Sequence, residues 1–174
     1  HVELPGKQGC GMMIVLGIDP GTAITGYGVV RVENNKNTVL GYGAIRTPAK
    51  QETASRLEII YTGVQQLISE FQPDCVAIEE LFFNKNVASA LAVGQARGVA
   101  ILAGAHGGLP VFEYTPLQVK TAVTGYGRAT KEQVAYMVTM LLGLGETPKP
   151  DDVTDALAIC LCHGYNGHNW GRSG

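Results

Sequence analysis

The 174-residue sequence predicts an α/β domain on a mixed sheet: an antiparallel three-strand meander, then strands alternating with helices. Three observations predict it. Apolar and β-branched residues alternate with period two through the first part of the chain. Helical spacing of apolar residues takes over from Glu52, and short apolar runs separate each later helical stretch from the next. The length suits one domain with a sizeable core, and the 45% hydrophobic content is ordinary for a globular chain.

Strands are predicted at Ile14 to Ile18, Gly26 to Val32 and Thr38 to Arg46, with "ENNKN" as the turn between the last two. From Glu52 to Phe71 the residues Leu57, Ile60, Tyr61, Val64, Leu67, Ile68 and Phe71 keep helical spacing until Gln72-Pro73 stops the run. "CVAIEE" reads as a short buried strand, Val87 to Ala105 as a long helix and "PVFEY" as another strand. Two further helices are predicted at Leu117 to Val123 and Lys131 to Leu142, with "GETPKP" as a loop. "DDVTDALAICLCHGY" closes the pattern as a helix whose first turn is acidic, where the positive end of the helix dipole favours carboxylates. No repeat or linker divides residues 12–166, which are read as one domain. Residues 1–11, "HVELPGKQGCG", lack periodicity and precede "MM"; they are expected to be an added or disordered leader, with the native start at Met12 or Met13. Residues 167–174 are expected to be a flexible tail.

The formal net charge of -2 argues against an indiscriminate nucleic-acid binder, yet its distribution is uneven. Between Leu81 and Lys131 lie five bases (Lys85, Arg97, Lys120, Arg128, Lys131) and one acid (Glu113). Cys160 and Cys162 stand two apart on a helix, pointing in different directions, and no zinc-ligand spacing occurs. Reduced thiols and a cytoplasmic setting are expected, with Cys75 and Cys160 as buried small hydrophobes. No secretory segment is apparent. The helix from Val87 to Ala105 has only Ser89, Gln95 and Arg97 as polar interruptions. A central arginine would be expensive in a membrane, so no membrane association is expected. Ala88, Ala92, Ala96, Ala100 and Gly104 form a smooth face, suited either to packing on the domain's own sheet or to a helix shared across a two-fold axis.

Carboxylates then draw attention. Asp19 ends an apolar strand at Pro20-Gly21, where an isolated charge is costly without a partner. Glu79 and Glu80 end a second strand, and alternation lets only one of them face a given neighbour. Asp152 and Asp155 stand three apart at a helix start and so share a face. Strand ends and helix N-termini are where α/β sheets place their ligand crevice. Acids gathered there would repel unless a cation lay between them, and oxygen-only donors select magnesium, or manganese in its place. Taken singly, each acid also fits a turn former, a solvated strand end or a dipole complement.

The order and spacing of "LGIDPGTAITGYGVV", "IRT", "SRL", "FQPDCVAIEELFFNKN", "SALAVGQARGVAI", "PVFEYTPLQVK", "GYGRATKEQV" and "DALAI" resemble the RuvC family of Holliday-junction resolvases, from Ile14 to about His163. The resemblance implies an RNase H-like fold and a Mg2+-dependent endodeoxyribonuclease that nicks four-way DNA junctions in symmetric pairs during recombination and repair, leaving 5′-phosphates. It implies that Asp19, Glu79, Asp152 and Asp155 are the catalytic and metal-binding set, holding two Mg2+ or Mn2+ ions. Glu80 stands where relatives often have glutamine and receives no metal role. Phe82 matches an aromatic that stacks on a base at the opened junction; Lys120 and Lys131 match basic residues near the active site and DNA phosphates. Arg128 in "GYGRATK" is expected to be an additional phosphate contact. The resemblance also implies a homodimer, with RuvA and RuvB branch-migration proteins as partners. An actin-type ATPase shares the opening phosphate-loop pattern, but needs a second lobe for which this chain is too short. A related RNase H-like nuclease of ribosomal RNA maturation lacks the "GQARG" and "QVK" stretches, and the presence of all four acids argues against a catalytically silent junction binder.

Overall fold

A computed structural model of the chain describes residues 11–34, 36–81 and 86–166. Its elements are β1 (Met12–Asp19), β2 (Ile24–Glu33), β3 (Lys36–Arg46), α1 (Thr53–Phe71), β4 (Cys75–Glu79), α2 (Val87–His106), β5 (Val111–Tyr114), α3 (Pro116–Thr124), α4 (Lys131–Leu141) and α5 (Asp151–Asn166). The strands form one sheet in the order β3-β2-β1-β4-β5. The first three pair as the expected antiparallel meander, and β4 and β5 continue it in parallel from β1. β1 begins two residues earlier than patterning suggests because Met12 and Met13 find ladder partners in Glu33 and Val32.

Period-two alternation sorts the strand residues to two cores. Val15, Val30, Cys75 and Ala77 face α3, α4 and α5, while Leu16, Ile18, Val29 and Val76 face α1 and α2. Covering both faces explains why β1 and β4 read as continuous apolar runs rather than clean alternation. Helix ends follow local chemistry. Thr115 with Gln118 and Thr130 with Gln133 form capping boxes at α3 and α4, and α1 ends at Gln72 in the left-handed region (φ 50°) just before Pro73.

Helix α5 carries the later acids, and glycines decide where it lies. A Cβ built on Gly17 would stand 2.3 Å from the Ala156 carbonyl oxygen, and one on Gly28 would stand 2.5 Å from Leu157 Cδ2. One on Gly26 would stand 2.1 Å from the Asp152 carbonyl oxygen. These three bare positions on β1 and β2 let the α5 backbone approach the sheet closely, while α3 and α4 cover its other side. The helix is therefore buried almost all round from Val153 to Gly164.

Helix α2 is long and apolar enough to cross a membrane by length and composition, but it packs on the sheet and α1 through Ala96, Ala100 and Ala103. Of the small-residue stripe, Ala96, Ala100 and Gly104 are buried against the domain's own core, and Ala88 is exposed. The intramolecular reading of that stripe holds over its C-terminal part. A different stripe faces outward: Val87, Leu91 and Leu102 are 67%, 64% and 49% exposed, and a Cβ on Gly98 would meet nothing within 4 Å.

Candidate active site

β1 and β4 run in parallel with Ile18 beside Ile78, so the next residues, Asp19 and Glu79, emerge side by side at the same sheet edge. Asp19 faces Gly26 across the β1–β2 ladder, and Gly26 is where the backbone of Asp152 comes down on the sheet. One helical turn on, Asp155 lies close enough to Asp19 for the two carboxyls to repel. The chain thus gathers acids from three elements that are remote in sequence. Asp155, Asp152 and Glu79 all lie near enough to Asp19 to repel it, while Glu80 is exposed and its backbone N–H donates to the Tyr114 carbonyl at 2.7 Å.

The turn after Asp19 is braced. Thr25 Oγ1 donates to the Gly21 carbonyl at 2.7 Å, and Thr22 Oγ1 to the Ala92 carbonyl of α2 at 3.1 Å. Thr47 Oγ1 donates to the Thr22 carbonyl at 2.6 Å and accepts from Arg56 Nε at 2.8 Å. Four chain segments hold this turn, which fixes the exit direction of β1 and hence of Asp19.

Two lysines enter from the other side. A cavity of about 290 Å³ is lined by Glu79, Lys120, Lys131 and Asp155, with Pro116, Val119, Val134 and Ala158 as its apolar wall. Lys131 Nζ lies 3.5 Å from Asp155 Oδ2 and 3.7 Å from Asp151 Oδ2.

The electrostatics record the crowding. Burial, then repulsion from Asp155, Asp152 and Glu79, pushes Asp19 up to about 8 from an ordinary value of 3.8. Burial and Asp155 raise Glu79, against the opposing pull of Lys120 and Lys131. Burial raises Asp155, with Lys131 opposing, and Asp155 in turn raises Lys131. Asp19 and Asp155 thus both sit above the ordinary carboxylate value.

A stability consequence follows. The folded protein holds a proton on Asp19 between about pH 4 and 8 that the unfolded chain has released, so this group's contribution is fully present below pH 4 and is lost as pH rises through about 8. In chelator, Asp19→Asn is expected to remove that pH dependence and to be more stable than wild type at pH 8, by about 1–3 kcal/mol. Thermal melts of both proteins at pH 5 and pH 8 measure it, and equal wild-type-minus-variant differences at the two pH values contradict it.

The donor chemistry fits a hard divalent cation: it is all oxygen and anionic, with repulsion that a cation would relieve. Among the described residues no three of these side chains close around a common point as they stand. Lys131 Nζ, 3.5 Å from Asp155 Oδ2, offsets part of the negative charge.

A family model described as crossover junction endodeoxyribonuclease RuvC matches residues 15–163. The chain belongs to the RuvC family. The RuvC protein of Moorella thermoacetica is 61% identical over 151 residues, covering 87% of this chain and 90% of that protein. That of Alkaliphilus metalliredigens is 59% identical over 156 residues, covering 90% and 95%. The solved structure of T. thermophilus RuvC in complex with Holliday junction substrate superposes with a TM-score of 0.86 at 40% identity, covering 90% of this chain and 96% of that one. The fold is RNase H-like, as the sequence resemblance implies.

Within this RuvC-family chain, the remaining expected site residues are placed unevenly. Lys120 on α3 and Lys131 at the start of α4 line the acid-bearing cavity. Arg128 is exposed in the α3–α4 loop and does not line it. Phe82 lies outside the described residues. The sequence reading missed Gly17, Gly26 and Gly28 as site-forming positions, although isolated glycines within apolar strands are a signal of close backbone approach. Cys75 and Cys160 are buried as expected, and Cys75 Sγ lies 3.4 Å from His163 Nε2.

Proposed function

We propose that this chain is a Holliday-junction resolvase whose acids at the ends of β1, β4 and the first turn of α5 hold two Mg2+ ions, with Mn2+ able to substitute. The observation that carries the reading is the meeting of Asp19, Glu79 and Asp155 beside Lys120 and Lys131, with Asp152 on the adjacent turn. When bound, the ions supply an activated water and stabilise charge on the leaving oxygen. Asp19 and Glu79 present their carboxylates from a rigid sheet edge, which limits the wander of the reacting phosphate. Lys120 and Lys131 face the same cavity and are positioned to stabilise negative charge on the phosphate oxygens. Attack on phosphorus breaks the bond to the 3′ oxygen and leaves a 5′-phosphate and a 3′-hydroxyl. Phe82 stacks on a base of the opened junction, an interaction of ~1–3 kcal/mol, and Arg128 contacts phosphate.

The working unit is a homodimer. The outward stripe of Val87, Leu91, Gly98 and Leu102 on α2 suits a second copy about a two-fold axis, and a four-way junction has matching approximate symmetry. Each subunit then nicks one of two opposing strands. RuvA and RuvB are the branch-migration partners. The three free, buried thiols Cys75, Cys160 and Cys162 agree with a cytoplasmic setting.

The test is a mobile four-way junction labelled on each strand in turn. Paired, symmetric, ligatable nicks that need Mg2+ support the reading, while random nicks or cutting of linear duplex at the same rate contradict it. Junction binding is also expected to weaken steeply with salt, because phosphate contacts release counterions. Replacing Lys120, Arg128 or Lys131 with alanine should lower the slope of log affinity against log salt by about 1 each. A slope unchanged in all three variants removes these residues from the DNA interface.

A further inference from the structure

Arg97 is an arginine within an otherwise apolar helix, and its side chain is only 18% exposed. Its guanidinium spans two strands. Nε donates to the main-chain carbonyl of Glu79 at 3.4 Å, and Nη2 pairs with Glu113 Oε1 on β5. Glu79 is the last residue of β4, with Tyr114 as its neighbour on β5. The peptide that follows is held on its β5 side, where the Glu80 N–H donates to the Tyr114 carbonyl at 2.7 Å. Arg97 adds a second hold on the same peptide, at its carbonyl and from a third element, and Glu113 fixes the plane of the guanidinium. Lysine would not replace it, because a single ammonium lacks the planar fork that reaches a carbonyl and a carboxylate at once.

We infer that Arg97 is a positioning residue for the reaction: with Glu113 as its anchor, it fixes the backbone at Glu79 and so aims that carboxylate at the acid-bearing cavity. The inference rests on the reading of Glu79 as one of the metal-holding acids. Arg97 touches no reacting atom, so its loss should lower kcat and Mn2+ affinity while leaving junction KM and junction binding in chelator within about two-fold. Glu113 lies 44% exposed on the strand surface, so its replacement leaves the core intact.

The experiment measures full-length Arg97→Gln, Arg97→Lys, Glu113→Gln, the Arg97→Gln/Glu113→Gln double variant and Glu79→Gln. The readouts are subunit mass by sedimentation, single-turnover junction cleavage, and Mn2+ binding by electron paramagnetic resonance without DNA. Arg97→Gln is expected to lose about 10–100-fold in kcat and about five-fold or more in Mn2+ affinity at unchanged subunit mass. Arg97→Lys should recover part of that, Glu113→Gln should lose less than Arg97→Gln, and the double variant should be no worse than Arg97→Gln alone. Wild-type kcat and Mn2+ affinity in a folded Arg97→Gln protein, with Glu79→Gln inactive, overturn the positioning role and leave the carboxylate reading standing. Wild-type activity in Glu79→Gln overturns both. Additive losses in the double variant overturn the pairing of Arg97 with Glu113 as one device.

Discussion

Replacing Asp19 with asparagine is expected to reduce junction nicking by at least about 10³-fold, with binding of the intact junction in chelator changed by no more than a few-fold. Size and hydrogen-bonding shape are nearly kept, and the charge is lost. Asp19 is the acid most crowded by its neighbours, with Asp155, Asp152 and Glu79 all raising it. The residue expected to destabilise the metal-free protein at neutral pH is also the one on which the proposed ion site rests, so the same substitution should raise stability and remove activity. Single-turnover cleavage and chelator binding assays check it. Cleavage within ten-fold of wild type would show that Asp19 only shapes the turn.

The second large effect concerns a residue with no side chain. Gly26→Val would put a Cβ 2.1 Å from the Asp152 carbonyl oxygen and 2.3 Å from its carbonyl carbon. Both atoms are backbone, so no rotamer change relieves the clash and α5 must lift from the sheet. A loss of more than about 3 kcal/mol is expected, together with loss of nicking in whatever fraction stays folded, since lifting α5 parts Asp152 and Asp155 from Asp19. Denaturant unfolding measures the first and cleavage per folded molecule the second. Gly145→Ala, where an added Cβ meets nothing within 4 Å, should be close to neutral and serves as the control. A Gly26→Val protein as stable and active as wild type would mean that α5 is not seated by this contact.

These two positions show what the sequence reveals of the site and what it conceals. Asp19 and Glu79 stand out locally, because a carboxylate ending an apolar run is costly wherever it points. Element order and type were also legible, since alternation and helical spacing are local signals, and the meander and the later alternation of strands and helices match the structure. That β1 lies beside β4, making neighbours of residues sixty apart, is a tertiary fact that no local pattern encodes. Gly26 was hidden for a related reason: a glycine shows where something comes close, without showing what. On α2 the eye follows the small residues, but those let the helix settle on its own sheet, and the larger Leu91 and Leu102 are left outside. Arg97 reads only as an interruption in an apolar helix until the end of β4 is placed beside it.

Calorimetric titration of Mg2+ into metal-free protein at pH 7, in two buffers of different ionisation enthalpy, tests whether the gathered acids hold the ion. Asp19, pushed up to about 8, holds a proton at that pH, so binding is expected to release close to one proton per chain and the observed heat to differ between buffers accordingly. In Asp19→Asn, both the proton release and most of the affinity should disappear. Equal Mg2+ affinity in the two proteins, or binding without proton release in wild type, would mean that Asp19 and its neighbours do not hold the ion.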